Sequence, residues 1–347
     1  MLRNLSLWNF RCHHDIQFDF TSQMSLFYGN NGVGKTSILE AISMLSSGYG
    51  LRKAKFADIA RNNCEMWKLK CVFDEEQYII SYYQNKREIL QNQQRITWSY
   101  LSKELAVQWL TPQIITGFWK DIQIRRNVID RCVMEFCHNH AALFTEYERV
   151  RRKRAELLNS NYQIFVIDML NDILVKTGMQ IMQNRMWFIK KMANHAIKIE
   201  MTGEIENIMY EKQVCDTQTI DQEIASNTFM HKKNNTNDNA SKWKKYLQCN
   251  LNIIGVHKTN FVIYEKNLNG MHASTGEQVR IILNFILKVF SLNQKSKKIL
   301  LLDDVLCSLD EIQVNLLLQK LSKMNGQIII SNIFDIKSDF DLQRIKI

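Results

Sequence analysis

The stretch Gly29-Asn30-Asn31-Gly32-Val33-Gly34-Lys35-Thr36 constrains the fold more than any other part of this 347-residue chain. It satisfies G-x-x-x-x-G-K-[ST] at every fixed position. Glycines at these points let backbone N–H groups turn inward around a phosphate chain. Lys35 then reaches the β- and γ-phosphates, and the Thr36 hydroxyl becomes a Mg²⁺ ligand, with Ser37 beside it. Such a loop needs a strand before it and, after it, a helix whose N-terminus points at the anion. Leu26-Phe27-Tyr28 reads as that strand. Ile38, Leu39, Ile42 and Leu45 share one face of a helix over 35–47. The segment from Gly29 to Ser37 is therefore predicted to bind a nucleotide.

A second segment answers the first. Lys297-Lys298-Ile299-Leu300-Leu301-Leu302-Asp303-Asp304 is an apolar run closed by two carboxylates. A continuous apolar run suits a buried parallel strand, and ligands in such sheets sit at the strands' carboxyl ends. Asp303 is expected beside Mg²⁺, and Asp304 is placed to orient or polarise the attacking water. Ser274-Thr275-Gly276-Glu277-Gln278 opens an apolar helix, Ile281–Phe290, shortly before that strand. Small residues at a helix start offer free N–H groups and hydroxyls to an anion. The order of phosphate loop, helical insertion, S-x-G-x-Q and acidic strand is that of ABC-type ATPase heads. There, the signature of one subunit closes over the γ-phosphate held by another. Ser274, Gly276 and Gln278 take the signature's place, and Asp310 that of the D-loop aspartate.

Hydrophobic alternation predicts three strands within residues 1–30 and a hairpin over 68–73 and 77–83, turning at Asp74-Glu75-Glu76. From Ile122 the period changes. Ile129, Val133, Phe136, His140, Leu143, Tyr147, Val150, Arg154 and Leu157 alternate steps of four and three, the spacing of a helix packed on another. One continuous helix of that length would run roughly 50–60 Å. A second helical stretch covers about 164–200, residues 226–242 read as a loose polar loop, and β patterns return at Leu251–Gly255, Phe261–Glu265, Ile299–Leu302 and Gln327–Ser331. The expected architecture is an α/β, SMC-like P-loop ATPase head with an inserted helical lobe: head over 1–120 and 249–347, lobe with a short arm over 121–248.

Charge and composition narrow the class further. Lys+Arg is 45 against Asp+Glu 35, a formal charge of +10 that suits a polyanionic partner. Among the basic residues, Arg149, Arg151, Arg152, Lys153 and Arg154 cluster on the arm, either as a solvated helix face or as phosphate contacts. Lys242, Lys244 and Lys245 beside Trp243 form a weaker cluster of the same kind. Eight cysteines form no CxxC pair, which excludes a zinc ribbon and fits reduced thiols in the cytoplasm. No carboxylate or cysteine cluster completes His13-His14 or His138/His140 into a metal site. The longest apolar run, IILNFILKVF, is about half a membrane span, so no membrane is expected as a partner. The N-terminus has no apolar stretch of the secretory type.

These pieces together resemble the RecF family of bacterial replication and repair ATPases over nearly the whole chain. Leu5–Arg11 looks like its opening strand with Asn-Phe-Arg. Trp109-Leu110-Thr111-Pro112-Gln113 with Gly117 is similar to its Pro-centred stretch. Arg125-Arg126-Asn127-Val128-Ile129-Asp130 resembles its Arg-Arg-x-x-x-Asp motif, and Gly255–Phe261 its Gly-Pro-His-Arg segment. The chain departs from the pattern at Val256, Val279 and Cys307-Ser308. The resemblance implies ATP and Mg²⁺ as cofactors, with Gln113 joining Thr36 and Asp303 at the metal. It also implies an ATP-dependent homodimer and weak DNA-stimulated ATPase activity. Double-stranded, gapped or single-stranded DNA and other recombination mediator proteins would be partners, in recombinational repair and replication restart. The alternative is another SMC-like or ABC-type ATPase acting as a nucleotide-gated DNA scaffold. A full SMC chain would need hundreds of residues of heptads, against about four here. A transporter subunit would carry Leu-Ser-Gly-Gly-Gln and a switch histidine, where this chain has Ser331-Asn332. The signature and D-loop argue against a small-molecule P-loop kinase.

Overall fold

A computed structural model describes residues 1–47, 50–158, 164–195, 197–202, 255–266, 268–336 and 340–347. Two compact units result: Met1–Lys120 with His272–Ile347, and Asp121–Met271.

In the first unit, the alternating N-terminal residues form strands β1 (Leu2–Phe10), β2 (His13–Asp19) and β3 (Met24–Tyr28). The phosphate loop leads into α1 (Lys35–Ser47). The hairpin is β4 (Met66–Phe73) and β5 (Glu76–Tyr83), with Asp74 in the left-handed region at its turn. It extends into β6 (Lys86–Gln91) and β7 (Gln94–Arg95). Next come α2 (Trp98–Glu104), β8 (Leu105–Leu110) and α3 (Pro112–Lys120).

Two sheets result. One is antiparallel, in the order β2-β1-β4-β5-β6-β7. The other takes its remaining strands from the chain's end: β12 (Lys297–Asp303), β13 (Gln327–Asn332) and β14 (Leu342–Lys346). It is parallel throughout, in the order β14-β3-β13-β12-β8. Ile299 and Leu301 join Leu105, Val107 and Trp109 in a core shared with Ile38, Leu39, Ile42 and Leu45 of α1 and with side chains of the antiparallel sheet. The opposite faces of β12, Leu300 and Leu302, are also buried, which explains the unbroken apolar run. Sealing a side chain such as Leu301 from water contributes roughly 1.5–3 kcal/mol.

The second unit corrects the single long helix. The heptad stretch is two helices, α4 (Ile122–Met134) and α5 (His140–Leu158). After Met134 the chain tightens, with the N–H groups of Glu135 and His140 donating to the carbonyls of Cys132 and Cys137, three residues back. The repeat survives the break because its positions still face inward: Ile129, Val133, His140, Tyr147, Val150 and Arg154 are all buried. The next helix, α6 (Ile164–Ala193), packs on α5. It stops short of residue 200, because Ile197–Thr202 forms strand β9. Strand β10 (Asn260–Glu265) pairs with β9 and with β11 (Leu268–Asn269) in a separate antiparallel sheet, rather than with a head strand. The expected loop at 226–242, the strand residues 251–254 and the Lys242–Lys245 cluster lie outside the described residues.

Candidate nucleotide site

The glycines of the loop are held at two points where nothing larger fits. Gly34 has φ +105°, and a Cβ there would sit 2.6 Å from Cys12 Sγ and against the His13 ring. His13 Nε2 lies 3.2 Å from the Gly34 carbonyl oxygen. At Gly29, φ +150°, a Cβ would lie 2.6 Å from the Ile347 carbonyl oxygen. The loop is thus clamped between the β1–β2 turn and the strand β14 side. Ser37 and Ile38 N–H groups donate to the Gly34 carbonyl, which starts α1. Lys35 is buried, and its ammonium donates to the carbonyls of Gly29 (2.7 Å) and Asn30 (2.9 Å), across the mouth of the loop.

The two distant motifs meet directly. The Thr36 hydroxyl donates to Asp303 Oδ1 at 3.0 Å across 267 positions of sequence. Ser331, fully buried on the neighbouring strand, donates to the same oxygen at 2.7 Å. Burial pushes the Asp303 carboxyl above the ordinary carboxylate range, and the adjacent Asp304 pushes the same way. The two hydroxyl donors and the charge of Arg52 offset this only in part. Asp304 holds a left-handed backbone, φ +49°, with its N–H donating to Ser331, and its buried Oδ1 has no hydrogen-bond partner among the described residues. The Thr36 hydroxyl and the buried, under-neutralised Asp303 carboxylate are donors that fit a hard divalent cation on a nucleotide, and the orphaned Asp304 oxygen beside them is left for a water.

Behind the loop, Glu40 is buried on α1 and grips two guanidiniums. Arg11 donates to both its oxygens (2.8 and 2.5 Å), and Arg52 to one at 3.3 Å. Sequence reasoning missed Arg52 and Glu40, saw Ser331 only where a transporter's switch histidine would stand, and saw His13 only as half of a histidine pair. None belongs to a short motif; each acts through a partner 12 to 29 residues away.

The remaining candidates are placed less directly. Gln113 stands exposed in the first turn of α3, just after β8, whose Leu110 pairs with Leu302 next to Asp303. It makes no hydrogen bond to Thr36 or Asp303. Ser274 caps α7 (Thr275–Leu292) in a capping box: Glu277 accepts from the Ser274 N–H (2.9 Å) and hydroxyl (2.8 Å). Ser274 and Gly276 are exposed, and a Cβ on Gly276 would meet nothing within 4 Å, so this helix start is open on its outer side. Val279 is buried where the resemblance expects a lysine. Asp310, also exposed, caps α8 (Glu311–Ser322) by accepting from the Gln313 N–H at 2.8 Å. Cys307 reaches Asn332 Oδ1 at 3.1 Å, joining the turn after Asp304 to the end of β13.

The comparisons with known proteins agree with this geometry. A family profile described as "AAA ATPase domain" matches residues 1–343. A DNA replication and repair protein RecF from Rickettsia massiliae is 27% identical over 346 residues, spanning 94% of this chain and 92% of that protein. Its counterpart from Rickettsia africae is 29% identical over 345 residues, with the same coverage. The chain belongs to the RecF family of AAA ATPase domains. A solved structure described as the recombination mediator protein RecF-ATPrS in the RecFOR pathway superposes with TM-score 0.80 at 20% identity, over 99% of this chain and 96% of that one. A RecF-ATP structure gives 0.78 at 21%. The fold is that of these RecF structures, an α/β P-loop ATPase head with a helical unit. Among the described residues, no helix is long and apolar enough to cross a membrane.

The RecF-like motifs of the second unit converge on one buried ion pair. Asp130 accepts from Arg185 at both oxygens (2.8 Å each) and lies 3.1 Å from His140 Nε2. Burial alone would raise this carboxyl, but the Arg185 charge and the hydrogen bonds from His140 and Arg185 outweigh it and hold it well below the ordinary range. Arg185 also donates to the Val256 carbonyl (2.8 Å) and the Thr259 hydroxyl (3.2 Å), so the Gly255–Phe261 segment hangs from this pair. Arg125 donates to Asn260 Oδ1 at 2.8 Å. The arm's basic run divides: Arg154 is buried on Asn171 (2.6 Å), Arg151 pairs with Glu148 (2.8 Å), and Arg149, Arg152 and Lys153 are exposed.

Proposed function

We propose that this chain is an ATP-dependent DNA-binding protein of recombinational repair and replication restart, working as a nucleotide-driven homodimer in the cytoplasm with other recombination mediator proteins. The observation that carries this reading is the Thr36–Asp303 contact, which closes the phosphate loop against the acidic strand. The family membership and the RecF-named relatives support the DNA role.

Lys35 would exchange its loop carbonyls for the β- and γ-phosphate oxygens. Thr36 and Asp303, with Gln113 from the neighbouring strand end, would hold Mg²⁺, which neutralises phosphate charge when bound. Asp304 would accept a hydrogen bond from the attacking water and orient it. Each nucleotide would lie between the Gly29–Ser37 loop of one copy and Ser274, Gly276 and Gln278 of the other, flanked by Asp310. With ATP the two copies join and double the basic surface facing a duplex. Hydrolysis is weak and DNA-stimulated, and it resets the switch.

Duplex binding measured with and without ATP over a range of salt tests this. The expected result is ATP-stimulated, sequence-tolerant binding whose log affinity falls about 0.9 per phosphate contact on a log salt scale. Duplex affinity indifferent to ATP would contradict it. Turnover measured with and without DNA separates a working ATPase from a nucleotide-gated scaffold.

A further inference from the structure

The second unit carries a cationic cluster that the nucleotide site does not use. The turn Gly255–Lys258 is closed by the Lys258 N–H donating to the Gly255 carbonyl at 2.7 Å. Arg185 holds it from the buried side through Val256 and Thr259. Gly255 is required there, since a Cβ would sit 2.5 Å from the His257 ring and 2.6 Å from the Tyr147 hydroxyl. The turn therefore offers His257 and Lys258 at a fixed tip. Arg126 of α4 flanks it by donating to the Thr259 carbonyl at 3.3 Å, and Arg151 lies one helical turn beyond Tyr147 on α5. Glu148, partner of Arg151, is the acidic group of α5 that faces the cluster. Lys258 is exposed and has no ion-pair partner among the described residues.

His257 fits the same purpose. The Tyr147 hydroxyl lies 3.3 Å from His257 Nδ1 and holds the ring against α5. Burial, followed by the charges of Arg151, Lys258 and Arg126, pushes this imidazole down to about 4, so it is neutral at physiological pH. The cluster thus combines cations from three elements with an imidazole held by Tyr147; Glu148 pairs with Arg151, and Asp130, Asp121 and Glu148 oppose Arg126. The cluster complements a phosphodiester oxygen rather than a carboxylate-rich protein face, because backbone phosphates attract point charges without base-specific contacts.

We infer that the Gly255–Thr259 turn, with Arg126 and Arg151, is a phosphodiester-binding site through which the helical unit grips the backbone of duplex DNA. This rests on the DNA-binding reading above and locates it. The arm's exposed residues Arg149, Arg152 and Lys153 lie on the same helix as Arg151 but lack the fixed turn.

The test uses the full chain with ATP and a blunt duplex, titrated over a range of salt. Replacing Arg126→Ala and Lys258→Ala together should flatten the slope of log affinity against log salt by roughly 2, about 0.9 for each cation. Affinity at low salt should fall at least ~10-fold, while ATP affinity stays at the wild-type value. Lys258→Glu alone, at an exposed position, should retain the fold and weaken duplex binding more than Lys258→Ala. The control Arg152→Ala with Lys153→Ala should change the slope less. Unchanged duplex binding in the turn variants, or an equal effect in the control, overturns the site while leaving the DNA-binding function standing. Wild-type protein that does not bind the duplex with ATP overturns both.

Discussion

Each unit of this molecule buries an aspartate, and the two are surrounded in opposite ways. Asp130, in the helical unit, meets a bidentate guanidinium and an imidazole, and its carboxyl lies well below the ordinary range. Asp303, in the head, meets only the hydroxyls of Thr36 and Ser331 and has Asp304 as its chain neighbour, so its carboxyl is raised. A buried charge paired within the fold holds structure together, and removing one partner strands the other. A buried charge left short of positive partners leaves room for a cation from outside. The contrast assigns Asp130 to architecture and Asp303 to the ligand, although both end motifs that sequence alone would rank as functional.

The largest effect is expected at the head's one cation in the loop. Lys35→Met keeps the length and removes the charge, and ATP binding should be lost with the thermal midpoint retained, as read by nucleotide titration and calorimetry. Unchanged ATP affinity in the folded variant would remove the phosphate-loop assignment.

Next is the ion pair. Asp130→Ala leaves Arg185 buried without its partner and should destabilise the second unit by about 3–5 kcal/mol, measured by denaturant unfolding. Asp303→Asn, by contrast, should unfold at or above the wild-type midpoint while Mg²⁺-dependent ATP binding is impaired. The pH dependence follows the same sign. Unfolded Asp130 takes up its proton in the ordinary carboxylate range, whereas folded Asp130 resists until lower pH. Its contribution is therefore fully present above that range and is lost progressively as pH falls from that range towards the lower pH at which folded Asp130 takes up its proton. Asp303 is raised and gives no such loss on acidification. If both variants destabilise equally, the comparison fails.

Smaller changes sharpen it. Asp304→Asn keeps the metal ligands and removes the water-orienting carboxylate, so turnover should fall on the order of 10²-fold while the ATP-bound form accumulates. Wild-type turnover would dismiss Asp304 from that role. Ser331→Ala removes one hydroxyl donor from Asp303, a change of about 0.5–1.5 kcal/mol. ATP affinity in Mg²⁺ should shift by no more than that equivalent.

The head was legible because its elements follow simple periods. β1 to β5, α1, β12 and β13 fall where alternation, a helical face or an apolar run put them. β6 escaped notice because Lys86, Arg87 and Glu88 dilute its alternation, and its place depends on pairing with β5. The helical unit read less well. Its heptads mark the buried face correctly, yet they cannot show the break after Met134, since a tight turn preserves the spacing of inward positions. His140 and Arg154 looked like faults in the seam, and both are buried with hydrogen-bond partners that only the folded chain supplies. At the site, the contiguous loop and the paired aspartates were visible, while Ser331, Glu40 and Arg52 act through contacts 12 to 29 residues apart.

The central claim is that ATP held by one copy is completed by the signature of another. Sedimentation of wild type and Ser274→Arg, each with ATP, with ADP and without nucleotide, tests it most directly. Ser274 is exposed at the open start of α7, so added bulk there should spare the monomer's fold and its ATP binding. The account predicts a dimer only for wild type with ATP, and monomers in every other condition. A Ser274→Arg protein that dimerises with ATP, or a wild type that stays monomeric with it, would contradict the claim.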